Sequence, residues 1–433
     1  MRRFLALALL LAALPATAQS DLDARIDAAI ATVAPNVVEY RRHVHRNPEL
    51  SNRETETAAY VAAHLTNLGI EVRTGVARTG VIGTLRGGRP GPTVALRADM
   101  DALPVTERTD VPFASTVRTV YNGLEVGVMH ACGHDAHVGI LMGVAEVLAA
   151  MRDELPGTVR FIFQPAEEGA PAGEAPAGAE QMVREGAMEG VDGVFGLHVT
   201  SMFEVGELVT RPGGMMASAD DLRIVVRGKQ THGAMPWGGV DPIATSALIV
   251  TGLQTVVSRQ VDLTQSPAVV TIGRIDGGVR SNIVPDSVLM IGTIRSLDAE
   301  VRAQLHERIR RTAEHIAASQ GATAEVTIAG EYGYPVTAND PDLLARMTPT
   351  LREVAGDGFD DDVTPVLGAE DFSYFANEVP GLFLWLGIKT PGASDELFPP
   401  NHSPLFRIDE DALPLGVRAL SRLAVDFLEQ EGQ

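Results

Sequence analysis

Three short apolar runs in this chain each break off onto ionisable side chains. Residues 93–98 run into Asp99-Met100-Asp101, residues 159–163 into Gln164-Pro165-Ala166-Glu167-Glu168-Gly169, and residues 194–197 into His198. Runs of this length, rich in Val, Ile, Leu and Phe, read as buried strands. Helical patterns lie among them, at 22–44, 54–68 and about 135–155. The last has apolar residues at Val138, Leu141, Val144, Val147 and Leu148, is stopped by Pro156-Gly157, and has Asp135 placed to cap its start. Strands interleaved with helices build an α/β sheet, and such sheets collect functional groups at the carboxyl ends of their strands. One polar residue after one strand could be chance, but three in succession constrain the fold to bring them to one edge. A fourth buried-type strand, 382–386, lies upstream of Asn401-His402-Ser403.

Between residues 213 and 329 the pattern changes. A strand at 221–227, a helix at 241–258, strands at 269–275 and 287–294, a helix at 299–319 and a strand at 324–328 give the order β-α-β-β-α-β. That order is the ferredoxin-like arrangement. The fold expected is therefore α/β: a mixed sheet flanked by helices, with a ferredoxin-like domain (213–329) inserted between two parts of a larger domain (19–212 and 330–433). Arg211-Pro212-Gly213-Gly214 and Glu331-Tyr332-Gly333-Tyr334-Pro335 are the expected hinges. Residues 169–178 form an Ala/Pro/Gly-rich loop with no periodicity.

Residues 1–18 read as a signal peptide. Arg2-Arg3 precedes an apolar run at 4–14, and Ala16-Thr17-Ala18 fits a small-x-small cleavage site. The expectation is export to the periplasm or beyond, with no membrane attachment after cleavage. The net charge of −21 argues against non-specific nucleic-acid binding, which needs a basic surface.

The one cysteine stands in His130-Ala131-Cys132-Gly133-His134-Asp135-Ala136-His137. Three imidazoles, a thiol and a carboxylate within eight residues form a donor set for divalent metals. A lone cysteine forms no intramolecular disulfide, and in an oxidising compartment a metal would protect it. Glu167-Glu168 is the second chemical feature. Of two adjacent carboxylates on a loop, one can ligate a metal while the other acts as a base.

These segments resemble the aminoacylase/carboxypeptidase superfamily of dinuclear metallohydrolases, and most of all its amidohydrolase branch of hippurate hydrolases, indole-3-acetyl-amino-acid hydrolases and thermostable carboxypeptidases. The resemblance is carried in order by Arg97-Ala98-Asp99-Met100-Asp101-Ala102-Leu103-Pro104, the His130–His137 segment, Gln164-Pro165-Ala166-Glu167-Glu168-Gly169 and Gly196-Leu197-His198. It continues through Gly228-Lys229-Gln230-Thr231-His232-Gly233, Asn282-Ile283-Val284-Pro285-Asp286, Gly292-Thr293-Ile294-Arg295, Gly368-Ala369-Glu370-Asp371-Phe372 and Asn401-His402. It implies a metallopeptidase-like fold whose inserted domain serves as lid and dimerisation domain. It implies five metal ligands, Cys132, His134, Glu168, His198 and His402, holding two divalent ions (manganese or zinc, with cobalt or nickel as alternatives). Glu167 is the implied general base toward a water shared by the ions. His232 is implied to reach a neighbouring subunit's site and stabilise an oxyanion, Asn282 and Arg295 to bind substrate, and Asp101 and Asp135 to support the ligands from behind. Where many superfamily members carry His-x-Asp, this chain has Asp99-Met100-Asp101, which fits the amidohydrolase branch and puts a simple zinc-dipeptidase assignment in doubt.

The implied activity is amide hydrolysis of N-acyl amino acids, with a small-molecule substrate and a homo-oligomer formed through the inserted domain. The alternatives are a metallo-carboxypeptidase or dipeptidase, an enzyme removing N-acetyl groups from cell-wall or diaminopimelate-type substrates, and a non-catalytic exported solute-binding protein. The last is disfavoured because a pure binder needs neither Glu167 nor the full ligand set.

Overall fold

The computed structural model describes residues 16–176 and 178–432. The signal-peptide reading falls mostly on residues 1–15, outside the described residues. Among the described residues no helix is long and apolar enough to cross a membrane.

A mixed eight-stranded sheet forms the centre, in the order Glu71–Val76, Gly80–Arg86, Pro156–Gln164, Arg89–Asp99, Gly193–Glu204, Gly381–Lys389, Leu208–Val209 and Phe359–Asp360. The four strands from Pro156–Gln164 to Gly381–Lys389 run parallel. Their central residues are buried on both faces of the sheet, as at residues 94–96, 161–163, 194–197 and 382–386. Alternation divides one strand between two cores. Leu382, Leu384 and Leu386 enter the core beneath the long helices, whereas Phe383 and Trp385 enter the opposite one with Phe372, Phe375 and Met215.

The first core is roofed by helices Ala16–Arg46, His134–Ala150 and Leu413–Glu431. The middle helix is buried on nearly every side, which explains its lack of a polar face. At Gly143 a Cβ would stand 2.5 Å from Val37, so glycine lets the first helix pack closely against it.

Between residues 219 and 334 a separate four-stranded antiparallel sheet forms, in the order Ala268–Gly277, Ser287–Ser296, Ala219–Arg227 and Thr323–Tyr334. Helices Pro242–Gln260 and Ala299–Ser319 complete the β-α-β-β-α-β order. Val301, Leu305, Ile309, Ala313 and Ala317 form a single buried stripe that packs with Leu222, Ile224 and Met290 in a core of its own. The last strand continues to Tyr334, and Gly213–Met216 pairs with Thr337–Asn339 where the chain crosses between the two sheets.

The strand expected to stop at residue 197 runs on to Glu204, because Gly381–Lys389 pairs with it through Trp385↔His198 and Gly387↔Thr200. His198 therefore sits inside a strand rather than after one. A hairpin, Arg118–Tyr121 and Leu124–Gly127, stands out from the loop that follows Asp99.

Candidate metal centre

Arg89–Asp99, Pro156–Gln164 and Gly193–Glu204 are adjacent, and their carboxyl ends supply one pocket. The loop after Asp99 returns as the Cys132–His134 turn. There Gly133 adopts φ +100, and a Cβ at this position would lie 2.3 Å from Val199. Only glycine lets Cys132 and His134 face the same space at so tight an approach. His402 also takes a left-handed conformation, φ +72, and its backbone N–H donates to the Ala131 carbonyl at 2.7 Å.

The five expected ligands converge. Cys132 Sγ lies 3.3 Å from His198 Nε2 and 3.3 Å from His402 Nε2. His402 Nε2 lies 3.1 Å from Glu168 Oε1, within ion-pair distance but without hydrogen-bond alignment. Two donor triads result, Cys132/His134/His198 and Cys132/Glu168/His402, each with its ligand atoms within 4.8 Å of one another. The cysteine sulfur belongs to both. His134 also groups with Glu167 and Glu168.

The ring tautomers suit metal binding. His198 Nδ1 lies 2.8 Å from the Val199 carbonyl and His134 Nδ1 lies 2.8 Å from that of Asp101, so each Nδ1 donates there and each Nε2 is turned toward the cluster. His134 Nε2 and Glu168 Oε1 are buried without hydrogen-bond partners. Orphaned buried polar atoms are costly, and a cation that displaced the His134 ring proton would satisfy both. The electrostatics agree. Burial opposes the charged form of His134, yet Asp99, then Asp101 and Glu168, outweigh it and raise the ring to about 10. Burial, then Glu168, Glu167 and Asp99, push the Cys132 thiol well up. Burial and the neighbouring rings of His137 and His134 hold His198 neutral. The pocket is short of positive charge, as a site for divalent cations should be.

Glu167 sits at the edge of this cluster, its Oε2 4.0 Å from His134 Nε2. Burial, followed by Glu370, Glu168 and Asp371, raises its carboxyl well above the usual range, against Arg97. Its loop is fixed by carboxylates. Glu54 accepts the Ala166 N–H at 2.9 Å, and Asp101 accepts those of Glu167 and Glu168 at 3.0 Å each. Ala166 is held at φ +50, so three consecutive amides point to acceptors across a strained turn.

Asp101 thus holds the loop that carries Glu167 and Glu168. Asp135 acts at a different position. It does not cap the helix, which begins at His134 after an uncapped Gly133. Its carboxylate instead accepts from Arg41 Nε at 2.9 Å and pairs with His45 Nδ1 at 2.8 Å, anchoring the helix start to the first helix. Both contacts fall on Oδ2, and Oδ1 is buried without a hydrogen-bond partner, so neither oxygen caps the helix. His137 is committed too. Its Nε2 accepts the Val199 N–H at 2.9 Å, so Nδ1 donates to Asp99 at 2.5 Å.

His232, Asn282 and Arg295 stand apart from the cluster, on the second sheet and its attached ladder. His232 and Ile283 are paired in a two-stranded ladder, and Asn282 accepts the Gly233 N–H at 2.8 Å, so His232 and Asn282 adjoin. Both are exposed. Arg295 lies within Ser287–Ser296, opposite Val269.

The sequence reading gave no role to a buried polar network behind Glu167. Arg97 is fully buried and donates to Gln164, Asp99, Glu370 and Asp371 at 2.7–3.0 Å. The Asp371 N–H points to Glu167 Oε1 at 3.4 Å. The signal was present, since Arg97 and Glu370-Asp371 lie within the segments that carry the resemblance. Glu54 and Tyr334 gave none.

A Cys/His/Glu cluster at one edge of a parallel sheet, largely buried except at His402, with a second glutamate beside it, has the make-up of a metal-dependent hydrolase site. Residues 95–426 match Peptidase family M20/M25/M40, and the chain belongs to that family. It is 44% identical over 392 residues to thermostable carboxypeptidase 2 of Saccharolobus solfataricus, covering 90% of this chain and 95% of the relative. It is 39% identical over 399 residues to an IAA-amino acid hydrolase ILR1-like protein of Arabidopsis thaliana, covering 91% and 86%. A dinuclear metal-binding peptidase of the M20 family from Bacillus subtilis superposes with a TM-score of 0.76 at 36% identity, covering 92% of this chain and 99% of that one. The chain is accordingly a metal-dependent hydrolase of amide or peptide bonds.

Proposed function

We propose that this protein hydrolyses the amide bond of N-acyl amino acids, with Glu167 as general base. The observation that carries the reading is the pair of donor triads sharing Cys132, with Glu167 beside them and outside both. Cys132, His134, Glu168, His198 and His402 would hold two divalent cations, whose Lewis acidity lowers the pKa of water and polarises a carbonyl. The chain's own groups do the rest. Bound cations would oppose the carboxylates that now raise the Glu167 pKa. Glu167 takes a proton from the attacking water and passes it to the departing amine. Asp101 and Glu54 keep its loop from swinging. Trp385, Met202 and Met216 line the cleft at the cluster and exclude bulk water from the reacting carbonyl.

The exposed His232 and Asn282 suit a role in a neighbouring copy, where His232 would donate to the developing oxyanion. Arg295 is proposed to bind the substrate carboxylate. Export is proposed from the residue 1–18 leader. The amide-conjugate activity named for the Arabidopsis relative favours this reading, whereas the name of the archaeal relative favours a carboxypeptidase.

The test is amine release from N-acyl amino acids and from dipeptides, with added Mn²⁺ or Zn²⁺, beside Glu167→Gln. Release from acyl amino acids should fall by about 10²–10⁴ in the variant while its bound metal is unchanged. Near-normal turnover in Glu167→Gln removes the base assignment, and cleavage of dipeptides alone moves the substrate class to peptides.

A further inference from the structure

A second cavity, of about 380 Å³, opens on the side of Glu168 away from Trp385. Its size falls in the range of small-molecule sites. One wall is the hairpin, through Val120 and Tyr121. The floor is Leu103 and Pro104, and the far wall is the Ala/Pro/Gly-rich loop, through Gly169 and Pro171. Glu168 lines this cavity and the cleft at the ligands alike, so a molecule held at the cluster can extend into it.

Two of its polar lining residues, Arg53 and Ser51, are already engaged. Arg53, the one cation among the described lining residues, is held by Glu174 of the far loop, at 2.7 Å from Nη2 to Oε1 and 3.1 Å from Nη1 to Oε2. Asn52 Nδ2 donates to the same carboxylate at 3.1 Å. The Ser51 hydroxyl donates to Asp101 at 2.7 Å. The Glu174–Arg53 pair therefore straps the loop down as a wall and occupies the Arg53 guanidinium. Val120 is nonetheless 69% exposed, an apolar wall with nothing over it.

We infer that this cavity, between the hairpin Arg118–Gly127 and the loop strapped by Glu174, binds the apolar acyl group of the substrate. With Arg53 held by Glu174, no unpaired cation remains among the described lining residues, so the substrate carboxylate lies on the other side of the scissile bond, while a bulky aryl or alkyl acyl group covers Val120 and Tyr121. The inference rests on the amidohydrolase reading above and specifies which end of the conjugate faces the hairpin.

The experiment compares kcat/KM for matched N-acetyl and N-benzoyl derivatives of glycine, leucine and phenylalanine, using the full metal-loaded chain. The wild type should prefer the benzoyl compounds. Val120→Asp should lower the benzoyl-to-acetyl ratio about tenfold, mainly through KM for the benzoyl substrate. Leu124→Asp, on the same hairpin but off the cavity wall, should leave the ratio unchanged. An unchanged ratio in Val120→Asp, or a wild type that favours acetyl, overturns the acyl assignment while amide hydrolysis stands. A wild type that releases amine from neither series overturns the parent reading and this assignment with it.

Discussion

The Tyr334 hydroxyl donates a 2.7 Å hydrogen bond to the backbone carbonyl of Glu167. Tyr334 is the last residue of the final strand of the smaller sheet. The adjoining Gly333 carbonyl accepts from Tyr374 Oη at 2.6 Å, so the crossing between the sheets is held at both residues. The proposed base is thus tied, through its main chain, to the point where the two sheets meet. Tyr334→Phe removes this bond alone. Turnover should fall several-fold, up to about tenfold, with a loss of about 1 kcal/mol in denaturant stability. Unchanged kcat would show that the bond serves folding only.

Cys132 belongs to both donor triads, whereas His198 and His402 belong to one each. Cys132→Ser should therefore weaken both metal sites, and His198→Ala or His402→Ala chiefly one. Metal content after dialysis, read by mass spectrometry, should approach zero per chain in the first variant and one in the others. Identical losses in all three would mean that the triads do not act as separate sites.

Arg97 is fully buried among Asp99, Glu370 and Asp371. Removing a lone cation from three buried carboxylates leaves uncompensated charge, which costs on the order of 3–5 kcal/mol. Arg97→Ala should lower unfolding stability by that amount in urea. A loss below about 1 kcal/mol would show that water enters and replaces the guanidinium.

The smaller sheet has its own acid-sensitive pair. Burial raises the carboxyl of Asp220, but hydrogen bonds from Arg302 and His306 outweigh this and hold it below the usual value. A depressed folded pKa stabilises above the unfolded value near 3.9 and is lost as pH falls through the folded one. Asp220→Asn should therefore cost about 1–3 kcal/mol at pH 7 and progressively less below pH 4. Equal destabilisation at pH 7 and pH 3, by thermal melts, would count against the ion pair.

The apolar runs and the polar residues that end them were enough to read an α/β sheet with its site at one edge, because strand burial and strand polarity are written in adjacent residues. The β-α-β-β-α-β order was legible for the same reason, and so was the Cys132–His134 donor set, whose members are neighbours in sequence. The strand through His198 was misjudged at its end, since pairing with Gly381–Lys389 is a tertiary event that no local pattern records. Asp135 reads as a helix cap from its place before the apolar run that starts at Val138, yet Arg41 and His45, distant in sequence, claim it.

The sequence by itself determined which side chains could bind metal and which elements would carry them, because ligand chemistry and periodicity are local properties. Only the tertiary structure decided that Cys132 is shared between a triad with His134 and His198 and one with Glu168 and His402, that Arg97 is enclosed by three carboxylates behind Glu167, and that Glu174 holds Arg53 beside a second cavity. Those contacts join residues far apart in the chain. Which charges remain unpaired, and so available to a ligand, follows from packing rather than from composition.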